Sequence, residues 1–439
     1  MSERYYAVIG KPVLHSKSPQ IQSAAFAQAG LPAHYVRLAV SDPREAVRVA
    51  REIGLSGMNV TAPFKEEVCK EIDFFSSEVD RIGAANTVRF TDEGTEGYNT
   101  DTRGILGAFE ERSVSLRGKR VLVLGAGGAA RSTLCALASA GATVTILNRS
   151  AERGQDLADQ FGAACGALTI ENLERGFGLS RIVINLTTAR ERIVPPELFT
   201  ALHTVLDAQY GMVTPFLSDA RAAGSTVLSG EDWLIHQGAA AFEIFTGRQA
   251  DQQAMRAAIL SAGVGADQPV ALIGMMGAGK STVGKELAAR LDRPYVDLDA
   301  QIEANVGSAI PDIFRQRGEP AFRALESQAL VAALEQNPGV ISCGGGIVLA
   351  AENRRMLQEH ALPIWLWAEP SRLAARVGAA DRPLLQGKDP FSHLTELLRV
   401  RKKFYAEVCE LVVSTHGFTP KLIAERLEYE IGYIRNGSR

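Results

Sequence analysis

The stretch GMMGAGKST at 274–282 constrains the fold more than any other part of the chain. It matches the pattern G-x-x-x-x-G-K-[ST]. The fixed positions of that pattern are occupied by Gly274, Gly279, Lys280 and Ser281. The apolar run at 270–273 predicts a short buried strand before the loop, and 283–290 predicts a helix after it. Backbone N–H groups in such a loop surround phosphate, and the start of the helix adds positive potential.

The loop therefore predicts a nucleoside-triphosphate site. The residues expected to hold the nucleotide are Gly277, Ala278, Gly279, Lys280, Ser281 and Thr282. Lys280 would reach the β- and γ-phosphates, and the Ser281 hydroxyl would ligate Mg²⁺. A glycine-rich turn without a ligand is the alternative, and the strand and helix on either side argue against it.

Bulk composition limits the classes of protein that need to be considered. The 439 residues correspond to about three domains. The chain is 46% hydrophobic and 22% charged, as ordinary globular proteins are. A net charge of −3 argues against nucleic-acid binding. Five scattered cysteines without a C-x-x-C motif suit a reducing compartment. No signal core and no membrane-spanning apolar run are present, so we expect a cytoplasmic protein.

Strand-like and helix-like segments alternate along the chain, which predicts an α/β fold with largely parallel sheets. Strands are expected at 6–10, 35–40, 57–61, 120–124 and 142–147, and helices at 20–29 and 131–140. The segment SAGVGADQP at 261–269 is small, polar and without period, so it is expected to be a linker.

A second glycine-rich loop follows the strand expected at 120–124. It reads G-x-G-x-x-A from Gly125 to Ala130, which is the dinucleotide-binding pattern with alanine in the third place. The residues expected to contact the dinucleotide are Gly125, Ala126, Gly127, Gly128 and Ala129. The motif alone is a weak signal, and its position between a strand and a helix supports it.

The end of the next strand favours one coenzyme over the other. An NAD site would place an acidic residue there, for the ribose 2′-hydroxyl. This chain instead has Asn148 and Arg149, with Arg153 one turn further on. A guanidinium suits a 2′-phosphate, so NADPH/NADP⁺ is favoured. A solvated surface arginine remains the alternative.

A reduction by a pyridine nucleotide also needs a proton source. Lys65 lies just past a strand end, and Asp101 supplies a carboxylate in a loop. With a reference pKa of about 10.4, a lysine is almost wholly ammonium at neutral pH and is ready to act as an acid. A nearby aspartate would hold the ammonium in place. Considered one at a time, the two residues have simpler interpretations: Lys65 as a surface lysine and Asp101 as the N-cap of a helix.

The segment from 6 to about 261 resembles shikimate dehydrogenase. The motifs that carry the resemblance are GKP at 10–12, HSKSP at 15–19, NVTAPFK at 59–65, GAANT at 83–87, GYNTD at 97–101, GAGGA at 125–129 and QGA at 237–239. The resemblance implies that Lys65 and Asp101 form the catalytic pair. It implies that the substrate is held by Ser16, Ser18, Thr61, Asn86 and Gln237, with Tyr210 nearby. It also implies that C-terminal helices return to the substrate domain and bring Gln237 to the pocket.

The segment departs from the family pattern at several places. The loop that the family places near the nicotinamide reads NLTTAR at 185–190, and Met212 stands where the family usually has proline. The altered loop bears on the placement of the nicotinamide and hence on the rate. Lys65 and Asp101 are retained, so dehydrogenase activity is still expected.

The region from about 268 to 439 resembles shikimate kinase. A strand is expected at 294–298, with Asp297 and Asp299 on one side of it by alternation. The resemblance implies that Asp297 serves Mg²⁺ through water and that Asp299 takes the acceptor hydroxyl. On a helix, Arg323 and Glu326 would be neighbours three positions apart, so the acid can brace the guanidinium.

Further residues of this region are expected at the substrate and the nucleotide. The resemblance implies that Arg323 and Arg401 pair with the substrate carboxylate and that Gly344, Gly345 and Gly346 allow a close backbone approach. Arg382 would close on the phosphates from a lid. Lys403 stands where the family usually has proline and is expected to alter only a helix start. The alternative for Arg323 is a surface ion pair with Glu326. The alternative for residues 344–346 is a glycine turn that binds no substrate.

Together the two resemblances imply a bifunctional enzyme of the shikimate pathway. The parts would be a substrate domain at 1–102 completed by helices at about 231–260, a Rossmann NADP domain at 103–230, the linker at 261–269, and a P-loop kinase domain at 270–439. The first half would reduce 3-dehydroshikimate with NADPH, and the second would phosphorylate shikimate with ATP and Mg²⁺. Neither nucleic acid nor a membrane is expected as a partner, and a homo-oligomer is left open. The alternatives are an NAD-dependent quinate/shikimate dehydrogenase and a non-catalytic regulator in the first half.

Overall fold

The computed structural model describes residues 3–260, 265, 267–336, 339–377 and 389–437. The contacts divide the chain into two compact units. The first unit consists of Met1–Pro19, Pro32–Leu55 and Ala262–Arg439, and the second of Gln20–Leu31 and Ser56–Ser261. The four-part domain division given above stays a prediction.

The strands follow the expected alternation with helices. They are β1 Arg4–Gly10, β2 Ala33–Ala39, β3 Gly57–Val60, β4 Phe74–Phe75, β5 Thr87–Thr91, β6 Gly94–Tyr98, β7 Arg120–Leu124, β8 Thr143–Asn148, β9 Ala164–Ala167, β10 Ile182–Asn185, β11 Thr204–Asp207, β12 Thr226–Leu228, β13 Val270–Ile273, β14 Tyr295–Asp297, β15 Val340–Ser342, β16 Leu362–Trp367 and β17 Leu411–Ser414.

The helices lie between these strands and after the last of them. They are α1 Ser18–Gln28, α2 Pro43–Ile53, α3 Ser77–Ile82, α4 Asp101–Glu111, α5 Ala130–Ser139, α6 Ala151–Phe161, α7 Ile170–Leu179, α8 Pro215–Ala222, α9 Gly230–Thr246, α10 Gln252–Ile259, α11 Lys280–Leu291, α12 Leu298–Val306, α13 Ile310–Gln336, α14 Ala351–His360, α15 Pro370–Arg376, α16 Pro390–Val408 and α17 Pro420–Gly437. None of the described helices combines the length and the hydropathy needed to span a bilayer.

The first unit is built on a parallel sheet with the order β14-β15-β13-β16-β17-β2-β1. Strand β17, near the end of the chain, pairs with β2, near its beginning, in the register Val412↔Leu38 and Val413↔Ala39. Strands β13, β16 and β17 are buried along their whole length, as expected when both faces of a parallel sheet are covered. The sheet therefore joins strands from both resemblance regions.

The second unit contains a parallel sheet with the order β12-β11-β10-β7-β8-β9, which is the predicted dinucleotide-binding arrangement. It also contains β3, β5, β6 and β4, of which β3–β5 and β5–β6 are antiparallel. Helix α9 packs against α4, and a Cβ at Gly104 would lie 2.6 Å from Cδ1 of Trp233. The predicted α/β fold class is confirmed.

The prediction of a strand over 294–298 is wrong in its length, because the strand in the structure is shorter. Strand β14 ends at Asp297, whose Oδ1 accepts hydrogen bonds from the backbone N–H groups of Asp299 at 3.2 Å and Ala300 at 3.4 Å. Asp297 is therefore the N-cap of α12, and Asp299 lies in the first turn of that helix. A carboxylate that satisfies unpaired N–H groups favours the start of a helix over continued strand.

Two local predictions need similar correction. Asp101 begins helix α4 after Thr100 at the N-cap, so it lies neither in a loop nor at the cap. Lys403 lies inside α16 rather than at a helix start, with Nζ 3.7 Å from Oε1 of Glu3. Lysine, unlike proline, keeps the backbone N–H that the interior of a helix requires.

Candidate functional site

The loop between β13 and α11 has the backbone that a phosphate site requires. Its glycines adopt positive φ, with 138° at Gly274, 78° at Gly277 and 91° at Gly279. A Cβ at Gly277 would lie 2.6 Å from Cγ2 of Val377, so a larger residue would clash there. Glycine is therefore needed for both the conformation and the space.

Lys280 lies directly beside this loop. Its Nζ donates hydrogen bonds of 3.0 Å to the backbone oxygens of Gly274 and Met275. The ammonium is thus held within the curve of the loop, at the start of α11, where the helix dipole adds further positive potential. This is the chemistry that phosphate groups require. The predicted lid residue Arg382 lies outside the described residues.

A cavity of about 420 Å³ opens beside the phosphate loop in the first unit. Eight of the predicted site residues line it, namely Ser281, Asp297, Asp299, Arg323, Gly344, Gly345, Gly346 and Arg401. The structure therefore brings together residues from separate stretches of the sequence. The walls also include side chains that were not predicted as site residues, among them Met276, Glu303 and Phe314. Phe314 packs on Phe322 with ring centroids 4.7 Å apart, which supplies an apolar wall.

Two guanidinium groups face this cavity. Nη1 of Arg323 donates to Oε2 of Glu326 at 2.8 Å, and Nη2 of Arg323 donates to Oε1 of Glu319 at 2.9 Å. Arg401 is 4% exposed and donates from Nη1 to the Gly345 carbonyl at 3.1 Å. Burial raises the pKa of the Glu326 carboxyl, and the Arg323 charge acts against that shift. Two fixed cations in one small cavity suit a carboxylate ligand.

The glycines at 344–346 make room for these charged side chains. A Cβ at Gly346 would lie 2.1 Å from Nη1 of Arg323. A Cβ at Gly344 would lie 2.3 Å from Oε1 of Glu326 and 3.0 Å from Oδ1 of Asp299. The turn therefore sets how closely the ionic groups approach one another.

The predicted metal ligands form a set of hard oxygen donors. Ser281 Oγ lies 3.5 Å from Ser342 Oγ, and Tyr295 donates its hydroxyl to Oδ2 of Asp297 at 3.0 Å. Burial foremost, and then the charge of Asp297, raises the pKa of Tyr295 to about 12. Hydroxyl and carboxylate oxygens beside a phosphate loop fit Mg²⁺, which keeps several waters in such sites.

Lys65 and Asp101 form a close pair in the second unit. The Lys65 Nζ lies 2.6 Å from Oδ2 of Asp101, and the two side chains are 17% and 6% exposed. The backbone carbonyl of Asp101 accepts a hydrogen bond of 3.1 Å from Nε1 of Trp233 on α9. Helix α9 therefore fixes the start of α4 and with it the carboxylate.

The amide side chains predicted at the substrate also meet. Asn86 is 2% exposed, and its Nδ2 donates to Oε1 of Gln237 at 3.1 Å. Oδ1 of Asn86 accepts from the backbone N–H of Thr100 at 2.8 Å, next to the catalytic candidate Asp101. Gln237 lies on α9, as the resemblance implied. Thr61 follows β3 and Tyr210 follows β11, and both are half-buried.

The dinucleotide loop joins β7 to α5. Gly125 has a φ of 101°, and a Cβ there would lie 3.1 Å from Cγ2 of Thr187. Asn148, at the end of β8, accepts a hydrogen bond of 3.2 Å from the backbone N–H of Ala126. Arg149 and Arg153 are exposed beside it. The residues present thus fit a pyridine dinucleotide with a 2′-phosphate.

The altered loop that begins at Asn185 is held by its own hydrogen bonds. Oδ1 of Asn185 accepts from the backbone N–H of Thr187 at 3.1 Å and from its hydroxyl at 2.8 Å. Nδ2 of Asn185 donates to Oδ1 of Asp207 at 3.2 Å. Burial raises the pKa of the Asp207 carboxyl. These hydrogen bonds fix the start of the loop, where Thr187 lies against Gly125 of the dinucleotide loop.

Ser16 and Ser18 belong to the first unit. Both are buried, and the Ser16 hydroxyl donates to Oγ of Ser18 at 3.2 Å. The Ser16 carbonyl accepts two hydrogen bonds from Arg37, at 2.9 Å from Nε and 2.8 Å from Nη2. Arg37 was not predicted as a site residue, because no motif in the sequence links it to the serines.

Family models match most of the chain in four segments. The segment at 8–88 matches the shikimate dehydrogenase substrate binding domain, 108–212 matches shikimate / quinate 5-dehydrogenase, and 230–260 matches the shikimate 5′-dehydrogenase C-terminal domain. The segment at 276–431 matches shikimate kinase.

Individual relatives agree with the first three matches. A shikimate dehydrogenase (NADP(+)) of Halobacterium salinarum is 42% identical over 262 residues, which cover 58% of this chain and 97% of the relative. The crystal structure of the Thermus thermophilus shikimate 5-dehydrogenase with NADP(H) and shikimate has a TM-score of 0.54 at 35% identity, covering 58% of this chain and 98% of that one. The Corynebacterium glutamicum quinate dehydrogenase in complex with NAD has a TM-score of 0.55 at 28% identity, covering 60% and 100%.

Proposed function

The chain belongs to the shikimate dehydrogenase family up to about residue 260 and carries a shikimate kinase domain after it, and we propose that it makes shikimate 3-phosphate from 3-dehydroshikimate in two steps. One observation carries this proposal. The same chain holds the partly buried Lys65–Asp101 pair beside a dinucleotide fold and, separately, a phosphate loop that opens on a cavity with two guanidinium groups.

The first step is the reduction of a ketone. The loop at 125–129, with Arg149 and Arg153 toward the 2′-phosphate, would hold NADPH, which would supply the hydride. The carbonyl carbon gains that hydride, and the resulting alkoxide takes a proton from the Lys65 ammonium. Asp101 orients the ammonium and stabilises its charge until the proton is transferred. The amide side chains of Asn86 and Gln237, which meet in the same unit as this pair, support a role in holding the substrate's oxygens.

The second step transfers a phosphoryl group to the new hydroxyl. Arg323 and Arg401 hold the substrate carboxylate, which directs the ring toward Asp299. Asp299 accepts the proton of the attacking hydroxyl, and the oxygen forms a bond to the γ-phosphorus of ATP as ADP leaves. Lys280 and the loop N–H groups stabilise the charge on the phosphates. Mg²⁺, held by Ser281 and through water by Asp297, would neutralise further charge there.

The two steps share a metabolite, because the alcohol made in the first is the acceptor in the second. A single mixture tests both. Purified protein would receive 3-dehydroshikimate, NADPH, ATP and Mg²⁺, with NADPH followed by absorbance and shikimate 3-phosphate by mass spectrometry. We expect one phosphorylated product for each NADPH consumed. Loss of NADPH without a phosphorylated product would leave only the first activity, and no reaction in either assay would refute the proposal.

An NAD-dependent quinate dehydrogenase is the second candidate for the first half. One of the similar structures is a quinate dehydrogenase with NAD, at 28% identity. The chain has Asn148 and Arg149 after β8, where an acidic residue would favour NAD. We therefore favour NADPH, and relative rates with the two coenzymes decide the matter. A non-catalytic regulator in the first half is disfavoured because Lys65 and Asp101 are both present. Cytoplasmic location stays a prediction, and a homo-oligomer stays open.

A further inference from the structure

We propose that the kinase part of the chain positions the loop at 11–18, which carries the substrate-binding serines of the dehydrogenase, through Glu430 and through Glu410 acting on Arg37. The residues concerned all lie in the first unit. The inference rests on the proposed function, because it assigns a purpose to contacts on a loop that contains Ser16 and Ser18. It gives the kinase part a structural role toward the loop that carries those serines.

Glu430 makes the most direct of these contacts. It lies on α17, is 1% exposed, and its Oε2 accepts hydrogen bonds from the backbone N–H groups of Val13 at 2.8 Å and Leu14 at 2.9 Å. Hydrogen bonds to a charged acceptor are about twice as strong as neutral ones. They fix the backbone just before Ser16. A buried carboxylate is costly unless it is paired or hydrogen-bonded, so Glu430 and these N–H groups depend on each other.

Arg37 links the same loop to a second element of the kinase part. It is 3% exposed and donates two hydrogen bonds to the Ser16 carbonyl. Its Nη1 lies 2.5 Å from Oε2 of Glu410, the residue directly before β17. Since β17 pairs with β2, which carries Arg37, the shared sheet sets the distance between these partners. The guanidinium therefore transmits the position of β17 to the Ser16 backbone.

A ring contact completes the arrangement. The His15 imidazole packs on Tyr433 of α17, with ring centroids 4.8 Å apart. The contacts from α17 and from the residue before β17 therefore all fall on residues 13–16 of the loop, two positions ahead of Ser18. Contacts that only docked two folded parts would not need the buried Glu430 carboxylate to bind the backbone N–H groups of this loop. The location of the contacts indicates that they position the serines.

Glu430→Ala tests the proposal in the full chain. The loss of both charged hydrogen bonds should raise the KM for 3-dehydroshikimate by about 10- to 100-fold, with a smaller change in kcat. The KM for NADPH should be unchanged. Kinase constants for shikimate and ATP should stay at wild-type values and serve as the check on folding, because Glu430 does not line the kinase cavity.

Two matched variants separate positioning from general damage. Glu430→Gln keeps a side-chain oxygen that can accept from both N–H groups, so it should restore KM to within about threefold of wild type, since neutral hydrogen bonds still form. Glu428→Ala makes the same truncation on the same helix, but Glu428 pairs with Arg290 at 2.9 Å and should leave dehydrogenase kinetics unchanged.

Glu410→Ala keeps the proposal falsifiable if Glu430→Ala does not fold. Glu410 is 34% exposed, and its removal should raise the KM for the ketone by about 3- to 10-fold through a less constrained Arg37. If the wild type is active and the folded variants have an unchanged KM for the ketone, this inference alone is overturned. An equal loss of both activities in the variants would overturn it too. A wild type that reduced no 3-dehydroshikimate would overturn the proposed function as well.

Discussion

Lys65 donates a hydrogen bond of 2.6 Å from Nζ to Oδ2 of Asp101, a residue 36 positions further along the chain. The loop after β3 supplies the cation, and the first turn of α4 supplies the anion. The backbone carbonyl of Asp101 also accepts a hydrogen bond from Trp233 on α9, so the residue that carries the carboxylate is fixed before any substrate arrives. An ammonium in a fixed position is a suitable acid for a developing alkoxide.

Lys65→Ala should abolish the reduction of the ketone while sparing phosphorylation. Removing a positioned general acid costs about 10²- to 10⁴-fold in rate. The measurement is NADPH oxidation with 3-dehydroshikimate, accompanied by kinase turnover on added shikimate. A kinase rate that fell in parallel would mean that the variant is damaged as a whole.

Lys280→Ala should have the reverse effect. Its ammonium lies within 3.0 Å of two loop carbonyls, where it would meet the transferred phosphates. We expect kinase turnover to fall by at least about 100-fold, as for the loss of a transition-state donor, with unchanged dehydrogenase kinetics. Loss of the dehydrogenase activity would contradict the assignment of Lys280 to the nucleotide.

Arg149→Ala tests the choice of coenzyme. A guanidinium that binds a 2′-phosphate makes charge-assisted hydrogen bonds, so its removal should raise the KM for NADPH by about 10- to 100-fold. The KM for NADH should stay constant, because that coenzyme lacks the phosphate. Arg149 is exposed, so the fold should tolerate the change. An equal effect on both coenzymes would place Arg149 outside the phosphate site.

Gly346→Ala tests the spacing of the carboxylate site in the kinase. The added Cβ would lie 2.1 Å from Nη1 of Arg323, so the guanidinium must move. We expect the KM for shikimate to rise by about tenfold or more, the cost of one charged hydrogen bond, while the KM for ATP stays near wild type. Gly432→Ala on α17 is the control, because no atom lies within 4 Å of its added Cβ. An unaffected shikimate KM would argue against Arg323 as a ligand.

His15 should make the stability of the protein sensitive to acid. Burial, aided by the Arg37 charge, lowers the pKa of its imidazole from 6.5 to about 4, and Nδ1 has no hydrogen-bond partner among the described residues. The unfolded chain therefore binds the proton first as pH falls. The stabilisation is complete above pH 6.5 and is lost between 6.5 and about 4.

His15→Gln removes this titration. The shift of about 2.5 pH units, from 6.5 to about 4, corresponds to an upper limit of about 3 kcal/mol at 1.36 kcal/mol per unit. The denaturant midpoint should therefore fall less in the variant than in wild type between about pH 7 and pH 4.5. Identical pH dependence of the two midpoints would show that His15 titrates normally.

The sequence predicted the parts of the sites that depend on local patterns. The phosphate loop, the dinucleotide loop and the Arg323–Glu326 spacing are each encoded within a few residues, and the structure contains all three arrangements. The alternation rule failed at Asp297 and Asp299, because capping of α12 ended the strand early. Even so, both carboxylates line the cavity.

The contacts made by Glu430 and Arg37 were not predictable in the same way. The Val13 N–H and the Glu430 carboxylate are separated by 417 positions, and neither residue belongs to a recognisable motif. The pairing of β17 with β2 was hidden for a related reason. Any strand edge offers the same N–H and C=O groups, so sequence periodicity does not specify its neighbour.

That pairing has a consequence for the history of the gene. In a chain cut near residue 265, β2 and β17 would each expose a row of unsatisfied backbone groups in separate products, and such bare edges promote aggregation. Two independently soluble enzymes would need charged or proline residues on those edges, so several substitutions would have to accompany any cut. The fusion is therefore easier to keep than to reverse, even if the cell gained nothing from having both catalysts on one polypeptide.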